Sequence, residues 1–485
     1  MQPPAPSRLA RATMVLVVLW AALAATNRVV SHDAWVDVRI GREILATGHV
    51  PTVDAWSGTA LGKPYLAHEW LACVLFALLE KLGGFAALSV LCGLSGLAIA
   101  LLMLFAIPRA RRSEPLVLLA WMAALFLVEE RLTARPHVLA HACEAGLVLL
   151  LARFRQEKRV RWLAFAPRLQ ILWVNLHASA LLGPALLAAA AAGDAIDGAF
   201  IDRANLEARL RDARRLGVTA LACLLACLVN PRGVELLAFA SALSRADFLR
   251  SATHEWRSPL ASLPSAPWTL PFALLLLGPL VSVALRIRRG GLAQLPQVAL
   301  AVKLGLQAVR FLPELAILGL PVLVDGLPTR ERRGLREVSL AGAAALVLLV
   351  LVRGEPETER WRPIGVGPGD NLALAEVDEL GKRGLQGVIY CEIADGGPII
   401  LALGPRVRPV MDARLDLYGP QLFGEWSRAE LDVDALLRYL DAHHVDLVML
   451  DPTFHQATLE RLSASPEWHL EFSNPRRFLL SRAKR

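Results

Sequence analysis

The chain has 485 residues, of which 55% are hydrophobic and only 20% charged, and its mean hydropathy is +0.45. A soluble protein would carry about 25% charged residues. The excess apolar residues fall in blocks of roughly 13 to 24 residues between short Arg-rich connectors, the pattern of a polytopic membrane protein. The same composition excludes a disordered, collagenous or coiled-coil chain. The net charge of +8 does not indicate a nucleic-acid partner, because most basic residues lie between apolar blocks.

The apolar blocks predict about eleven transmembrane helices. The first block follows Arg8 and Arg11, and we expect an uncleaved helix rather than a signal peptide because more blocks follow it. The predicted spans cover approximately residues 12–30, 85–107, 115–129, 137–151, 162–175, 178–192, 216–230, 268–285, 292–309, 311–324 and 338–352. Several are shorter than the ~20 residues of a straight span, so their ends must extend into polar neighbours or face an internal cavity.

The basic residues predict the orientation of the spans. With the N-terminus in the cytoplasm, the inside connectors are short and rich in Arg, whereas the longer outside loops carry fewer Lys and Arg. The segment Tyr65–Lys81 is apolar enough to be a span itself, but that would turn the basic connectors outward. We therefore expect it to lie in the outer interface. The predicted membrane domain is 1–352, with a long first outer loop at 27–84.

Residues 353–485 lack long apolar blocks and alternate short strand and helix patterns. This alternation predicts a small extracytoplasmic α/β domain. A polar cluster at Asp412–Tyr418, which follows a predicted strand, is either an acceptor-binding site or a solvated, ion-paired loop. The six cysteines form no CxxC pair, so neither a zinc site nor a disulfide framework is indicated, and we expect them to pack in apolar surroundings.

Polar residues collect at the predicted outer ends of the spans, where such groups are costly and by default mark a site. Each has a structural alternative: a helix cap, a turn, an interfacial anchor or a helix stop. The candidate residues are Asp33, Asp54, His68, Glu69, Arg131, Arg135, Asn175, His177 and Arg310. We expect a carboxylate to accept a proton and the cationic groups to hold a leaving phosphate. His141 and Glu144, inside a predicted span, are interpreted as packing partners of Lys303 or an arginine.

Several motifs resemble those of GT-C glycosyltransferases, which include protein O-mannosyltransferases and the aminoarabinose transferases of lipid A. The closest resemblance is to bacterial GT-C-like (mannosyltransferase-like) membrane proteins, over nearly the full length. The matching residues are Asp33-Ala34-Trp35, Gly41 to Pro51 (GREILATGHVP), His68-Glu69-Trp70-Leu71, Arg131 to Pro136, Trp173 to His177 (WVNLH) and Asn230-Pro231-Arg232-Gly233.

The resemblance implies a GT-C-like all-α polytopic membrane domain followed by the α/β domain, in the bacterial inner membrane. It implies that Asp33 is the catalytic base. No second acid adjoins Asp33, in contrast to the mannosyltransferases, so a divalent metal is compatible but not implied and no cofactor is expected. Arg131, Arg135 and Arg310 are predicted to bind the donor phosphate. His68, Glu69, Asn175, His177 and Asp54 are predicted to orient substrate.

The predicted function is transfer of a sugar from a polyprenyl-phosphate-linked donor to an acceptor on the outer side of the membrane. The expected partners are the lipid-linked donor, the bilayer and a saccharide, lipid or protein acceptor. Two alternatives stay open at this stage. A transporter or lipid-linked flippase would show internal repeats and ionisable residues within the membrane. A non-catalytic envelope scaffold would use the tail as its working part.

Overall fold

The computed structural model describes residues 6–243, 248–263, 265–329, 334–352 and 364–483. The predicted domain boundary at residue 353 adjoins the stretch 353–363, which is outside the described residues. The chain is mainly helical, as its composition predicts. The helices before that stretch are α1 (Arg8–Ala25), α2 (Asp33–Thr47), α3 (Trp70–Ala106), α4 (Pro115–Glu129), α5 (His137–Glu157), α6 (Arg161–Ala164), α7 (Ala166–Leu176), α8 (Leu182–Phe200), α9 (Leu206–Ala226), α10 (Val234–Leu243), α11 (Phe248–Ala252), α12 (Thr269–Leu285), α13 (Leu295–Gln307), α14 (Leu312–Gly326) and α15 (Leu335–Leu351).

Four described helical segments are long and apolar enough to cross a membrane: Arg8–Ala25, Trp70–Ala106, His137–Glu157 and Ala178–Phe200. Further apolar helices of 10–17 residues include α4, α10 and α12. The described helices therefore include several with the length and composition of membrane spans, in agreement with the predicted helical membrane protein. The number of about eleven spans stays a prediction, because length alone does not assign the shorter helices.

Helix α3 joins two segments that the sequence separates. Its backbone is non-helical at Gly83 and Gly84, where Gly84 has φ 62° and ψ −160°. Such dihedral angles are essentially restricted to glycine. The kink divides the predicted interfacial helix at 65–81 from the predicted span at 85–107.

The chain divides into two compact units. The first contains Met1–Arg28 and Ser89–Val366, and the second contains Val29–Leu88 and Gly367–Arg485. In the first unit α1 packs against α4 and α15, α8 packs against α9, and α14 packs against α4, α12 and α13. Its described interior is dominated by aliphatic side chains and by buried tryptophans such as Trp20, Trp121 and Trp173.

The second unit contains a five-stranded mixed sheet. Its elements after Gly367 are α16 (Leu374–Lys382), β1 (Gly387–Cys391), α17 (Ile393–Leu403), β2 (Val407–Pro409), α18 (Leu415–Leu431), α19 (Val433–Ala442), β3 (Leu447–Leu450), α20 (Pro452–Ser463), β4 (Trp468–Ser473) and β5 (Phe478–Arg482). The strand order is β2-β1-β3-β5-β4, with β1 parallel to β2 and β3 and with β5 antiparallel to β3 and β4. The predicted small α/β fold of the tail is confirmed.

The sheet is apolar on both faces because alternate residues of its central strands enter different cores. Ile389 and Met449 lie in one cluster of buried residues, whereas Tyr390 and Val448 lie in another. This is the period of two that a strand imposes. All six cysteines are buried and unpaired by disulfides, which agrees with their predicted packing role.

Helix α2, from the predicted first outer loop, packs against α17 of the tail within the second unit. Gly397 makes this approach close: a Cβ atom placed there would lie 2.4 Å from the carbonyl oxygen of His32. A third apolar cluster joins Val36, Ile40 and Trp56 to Ile400 of α17. The start of α2 is thereby held against the tail.

Candidate functional site

Three arginines from distant parts of the first unit converge on the carboxylate of Glu255. Arg131 and Arg135 lie in the turn between α4 and α5, and Arg310 lies in the turn before α14. Glu255 forms ion pairs with Arg131, with Arg135 at 3.2 Å and with Arg310 at 3.4 Å. We call Arg131, Arg135, Glu255 and Arg310 the arginine cluster. The sequence predicted that its three arginines share a site, but it gave no role to Glu255.

The arginine cluster holds three guanidinium groups and one carboxylate in a partly dehydrated setting. Side-chain exposure is 11% for Arg131, 17% for Arg310 and 22% for Glu255. Burial by itself raises the pKa of Glu255, but the three guanidinium groups outweigh it and hold that pKa well below its usual range. Three guanidinium groups thus converge on one ionised carboxylate. Such a group suits an anion with two negative charges.

Aromatic and imidazole rings shape the surroundings of the cluster. The guanidinium of Arg310 lies 4.2 Å from the ring centre of Trp256, in the range of a cation–π contact. Arg131 accepts a hydrogen bond at its carbonyl oxygen from Nε2 of His137, 2.8 Å away. The ring of His137 lies 6.5 Å from that of His177. His177 therefore lies beside the residues that hold Arg131 in place.

The two polar residues of the WVNLH segment have local structural contacts. The Asn175 side-chain amide donates to the carbonyl oxygens of Ile171 at 2.7 Å and Val229 at 2.8 Å. It thereby ties the end of α7 to the NPRG turn. His177 caps the short turn that follows, because its Nδ1 accepts from the backbone N–H of Ser179 at 3.0 Å. Both residues therefore stabilise turns, as the structural alternative to a substrate role expected. Their contact with substrate stays a prediction.

Asp33 occupies the first position of α2 in the second unit. His32 is the N-cap residue and makes no side-chain capping bond, so Asp33 is not the cap that the alternative reading expected. The hydroxyl of Ser31 donates to Oδ2 of Asp33 at 3.0 Å. A carboxylate in the first turn interacts favourably with the helix dipole. Asp33 is half-buried, a position in which a carboxylate is both oriented and reachable.

Asp37 is a second carboxylate on the same face of α2, one turn after Asp33. It is buried, and the thiol of Cys73 donates to it at 3.7 Å. Sequence reasoning looked for a second acid directly beside Asp33 and missed this one. The spacing of four residues places two side chains on one helix face and was the available signal.

His68 and Glu69 form a charged pair at the start of α3. His68 Nε2 lies 3.5 Å from Glu69 Oε1. Burial by itself lowers the pKa of His68, but the carboxylates of Glu69 and Asp416 outweigh burial and raise it to about 9. Burial raises the pKa of Asp416, and His68 opposes that rise. His68 is therefore a cation near neutral pH, tied to the tail through Asp416.

Asp54 belongs to a buried ion-pair network of the second unit. Arg414 lies 2.8 Å from Asp54 and 2.7 Å from Asp412. The hydroxyl of Tyr418 donates to Asp412 at 2.6 Å, and the backbone N–H of Ser57 donates to Asp54 at 3.0 Å. The polar segment after β2 is thus ion-paired, as one of its two interpretations expected, but buried rather than solvated. The predicted contact of Asp54 with substrate stays a prediction.

The predicted site residues are distributed over both units. Arg131, Arg135, Asn175, His177 and Arg310 belong to the first unit, where the arginines converge. Asp33, Asp54, His68 and Glu69 belong to the second. Glu255 escaped the sequence analysis because its loop, THEWRSP, carries no spacing that links it to arginines more than 50 residues away.

Similarity to solved structures is clear, although the sequence matches no family model and no curated protein. Oligosaccharyltransferase AglB from Archaeoglobus fulgidus, in complex with an inhibitory peptide and a dolichol-phosphate, aligns with a TM-score of 0.55 at 11% identity, over 94% of this chain and 71% of AglB. The oligosaccharyltransferase of the same organism, tethered to an acceptor peptide, aligns with a TM-score of 0.56 at 13% identity, over 97% of this chain and 74% of the enzyme. The apo form of that enzyme aligns with a TM-score of 0.53 at 13% identity, over 91% of this chain and 69% of the enzyme. At such identities the comparison establishes the fold, and the predicted GT-C-like fold is confirmed.

Proposed function

We propose that this chain is an integral membrane glycosyltransferase of the GT-C type. It would transfer a sugar from a polyprenyl-phosphate-linked donor to a saccharide, lipid or protein acceptor on the outer side of a bacterial inner membrane, as the bacterial mannosyltransferase-like proteins that the sequence resembles are expected to do. The arginine cluster is the observation that carries this proposal. The shared fold supports it, since AglB has been captured with a dolichol-phosphate and with acceptor peptides.

The chemistry requires a cationic site for the leaving phosphate. The acceptor hydroxyl attacks the anomeric carbon, a new carbon–oxygen bond forms, and the bond between that carbon and the phosphate oxygen breaks. The polyprenyl phosphate leaves with the bonding electrons and gains negative charge. Arg131, Arg135 and Arg310 would stabilise this charge, and Glu255 would act as an internal anion that the phosphate displaces in part.

Asp33 is proposed as the base that accepts the proton of the acceptor hydroxyl. Ser31 orients its carboxylate, and the packing of α2 on α17 holds its backbone. His68, Glu69, Asp54, Asn175 and His177 are proposed to orient substrate, the last two through the turns that they stabilise. No cofactor is assigned to Asp33.

Binding of a polyprenyl phosphate to the purified protein in nanodiscs tests the proposal. Undecaprenyl phosphate should bind saturably, and undecaprenol, which lacks the phosphate, should not. Arg310→Gln should weaken binding about 10- to 100-fold, the effect of one charge-assisted contact. Arg232→Gln is the matched control, because Arg232 pairs only with the exposed Glu235 among the described residues. Equal binding of both lipids, or an unchanged affinity in Arg310→Gln, would refute the phosphate site.

A further inference from the structure

Three potential metal-ligating side chains meet inside the first unit, apart from the arginine cluster. His141 and Glu144 are three positions apart on α5 and therefore share a helix face. Glu314, in the first turn of α14, completes the group. One ligand atom from each lies within 4.8 Å of the other two. We call His141, Glu144 and Glu314 the His-Glu-Glu triad.

All three side chains are at least nine-tenths buried, with exposures of 4%, 1% and 5%. Each also has a polar atom without a hydrogen-bond partner: Nε2 of His141, Oε1 of Glu144 and Oε2 of Glu314. His141 Nδ1 lies 3.6 Å from Glu144, and among the described residues no arginine or lysine forms an ion pair with either glutamate. The predicted pairing of Glu144 with Lys303 is not among these contacts, and Lys303 is exposed.

Such an arrangement is costly unless something compensates it. A buried ionised carboxylate without a partner is strongly unfavourable, and α5 is one of the helices long and apolar enough to cross a membrane, where charged groups are expensive and usually functional. A carboxylate so placed is compensated either by a proton or by a cation that accepts electron pairs from all three residues at once, and the imidazole that joins the two carboxylates favours the cation.

We propose that the His-Glu-Glu triad binds one divalent transition-metal ion, with Zn²⁺ or Mn²⁺ as the ligand chemistry indicates. One imidazole nitrogen and two carboxylate oxygens are a mixed donor set that suits these ions better than Mg²⁺. Ligand atoms around a tetrahedral zinc lie about 3.4 Å apart at bond lengths of about 2.1 Å. The observed 4.8 Å limit therefore requires only side-chain adjustment. Three protein ligands leave a coordination position open for water or substrate.

The charge balance of the neighbourhood supports the ion. The charges of two ionised glutamates and one divalent cation sum to zero, so the triad would not need a nearby arginine as a counter-ion. The ring of His141 lies 5.6 Å from that of His137, which in turn hydrogen-bonds Arg131. A metal in the triad would therefore balance the two glutamates without the guanidinium groups of the arginine cluster.

Metal content and metal affinity of the full-length protein test this site. The protein, purified without a polyhistidine tag, is stripped with EDTA and titrated with Zn²⁺, Mn²⁺ or Mg²⁺, followed by mass-spectrometric metal analysis. We expect one Zn²⁺ or Mn²⁺ per chain, a higher melting temperature with the ion bound, and at least 10-fold weaker binding of Mg²⁺. Glu144→Gln and Glu314→Gln should each reduce the affinity for Zn²⁺ at least 10-fold.

The matched control is a double variant, His455→Ala with Glu430→Gln. These residues form a His–Glu pair at 3.5 Å in the tail without a third ligand among the described residues, so the metal content should not change. A wild-type protein without a saturable site, or full metal content in Glu144→Gln and Glu314→Gln, would overturn the proposal. Because undecaprenyl phosphate binding is measured separately, failure of the metal site leaves the proposed phosphate site to its own test.

Discussion

Glu255 forms an ion pair with Arg131, which lies 124 residues earlier in the chain. Replacing Glu255 with glutamine removes the carboxylate that the three arginines of the cluster share. Glu255→Gln should destabilise the protein by about 2–4 kcal/mol, because three mutually repelling guanidinium groups lose their shared partner. The melting temperature in detergent measures this effect, and undecaprenyl phosphate should restore much of it. Glu235→Gln, in an exposed pair, should change stability by less than about 0.5 kcal/mol. An equally stable Glu255→Gln would show that the pairs are energetically negligible.

Asp33→Asn should leave the protein folded and abolish sugar transfer. The side chain is half-buried at a helix start, so the variant loses only about 0.3–1 kcal/mol of helix-dipole stabilisation. Loss of a general base lowers the rate about 100- to 10,000-fold. Membrane vesicles containing the native lipid donor provide the transfer assay. Ser31→Ala is the control: it removes one hydrogen bond to Asp33 and should cost far less activity. Full activity of Asp33→Asn would eliminate the proposed mechanism.

The stability that His68 contributes should depend on pH. Its pKa rises from 6.5 to about 9 on folding, so the contribution is complete below pH 6.5 and is lost as the pH rises through 9. A rise of this size corresponds to at most about 3 kcal/mol. Melting temperatures of wild type and His68→Gln should therefore differ at pH 6 and converge by pH 10. Glu69→Gln should move the convergence to lower pH. A difference that does not change with pH would contradict the paired state of His68.

Asp54→Asn tests whether Asp54 acts through structure or through substrate. The carboxylate is one of two that neutralise the buried Arg414, so its loss should cost about 1–3 kcal/mol. Arg414→Met should cost about 3–5 kcal/mol, because it strands two buried carboxylates. Arg438→Met, at an exposed site, is the control. If Asp54→Asn instead lost transfer at unchanged stability, Asp54 would contact substrate directly.

Gly84→Ala should destabilise α3 at its kink. The φ of 62° and ψ of −160° at Gly84 are strained for any residue with a Cβ atom, at a cost of about 1–3 kcal/mol. Gly217→Ala provides the contrast, because a Cβ atom there meets nothing within 4 Å and the residue lies inside α9. That variant should be neutral or stabilised by up to about 1 kcal/mol. Comparable effects of both substitutions would argue against a fixed kink.

The sequence allowed the helices to be predicted well wherever apolar runs end in strong local signals. The predicted span at 115–129 coincides with α4, which Pro115 begins, and the alternating strand and helix patterns of the tail recur in the elements from α16 to β5. The break in α3 at Gly83 and Gly84, between the predicted segments 65–81 and 85–107, was likewise predictable, because two glycines usually interrupt a helix. Transmembrane and interfacial helices have similar compositions, so the number of transmembrane helices could not be determined from composition.

The site was predictable only in its chemistry. Arg310 was predicted to bind the donor phosphate, and in the structure it pairs with another anion, the carboxylate of Glu255. The partner could not be identified, since contacts between distant segments leave no local pattern. Asp54 had both a structural and a substrate-orienting interpretation in the sequence, and its ion pair with Arg414 is a tertiary contact that the sequence could not show.

Because Gly397 allows α17 to pack closely against His32, residues 367–485 support the turn that precedes Asp33. Deleting the tail would expose the apolar side chains of Val36 and Trp56 to solvent. It would also remove the support that fixes the position of Asp33, the proposed base. A truncated protein would then be inactive whether or not the tail ever recognises an acceptor. Genetic dissection of this protein therefore calls for point changes on the outer surface of the α/β fold rather than for deletions.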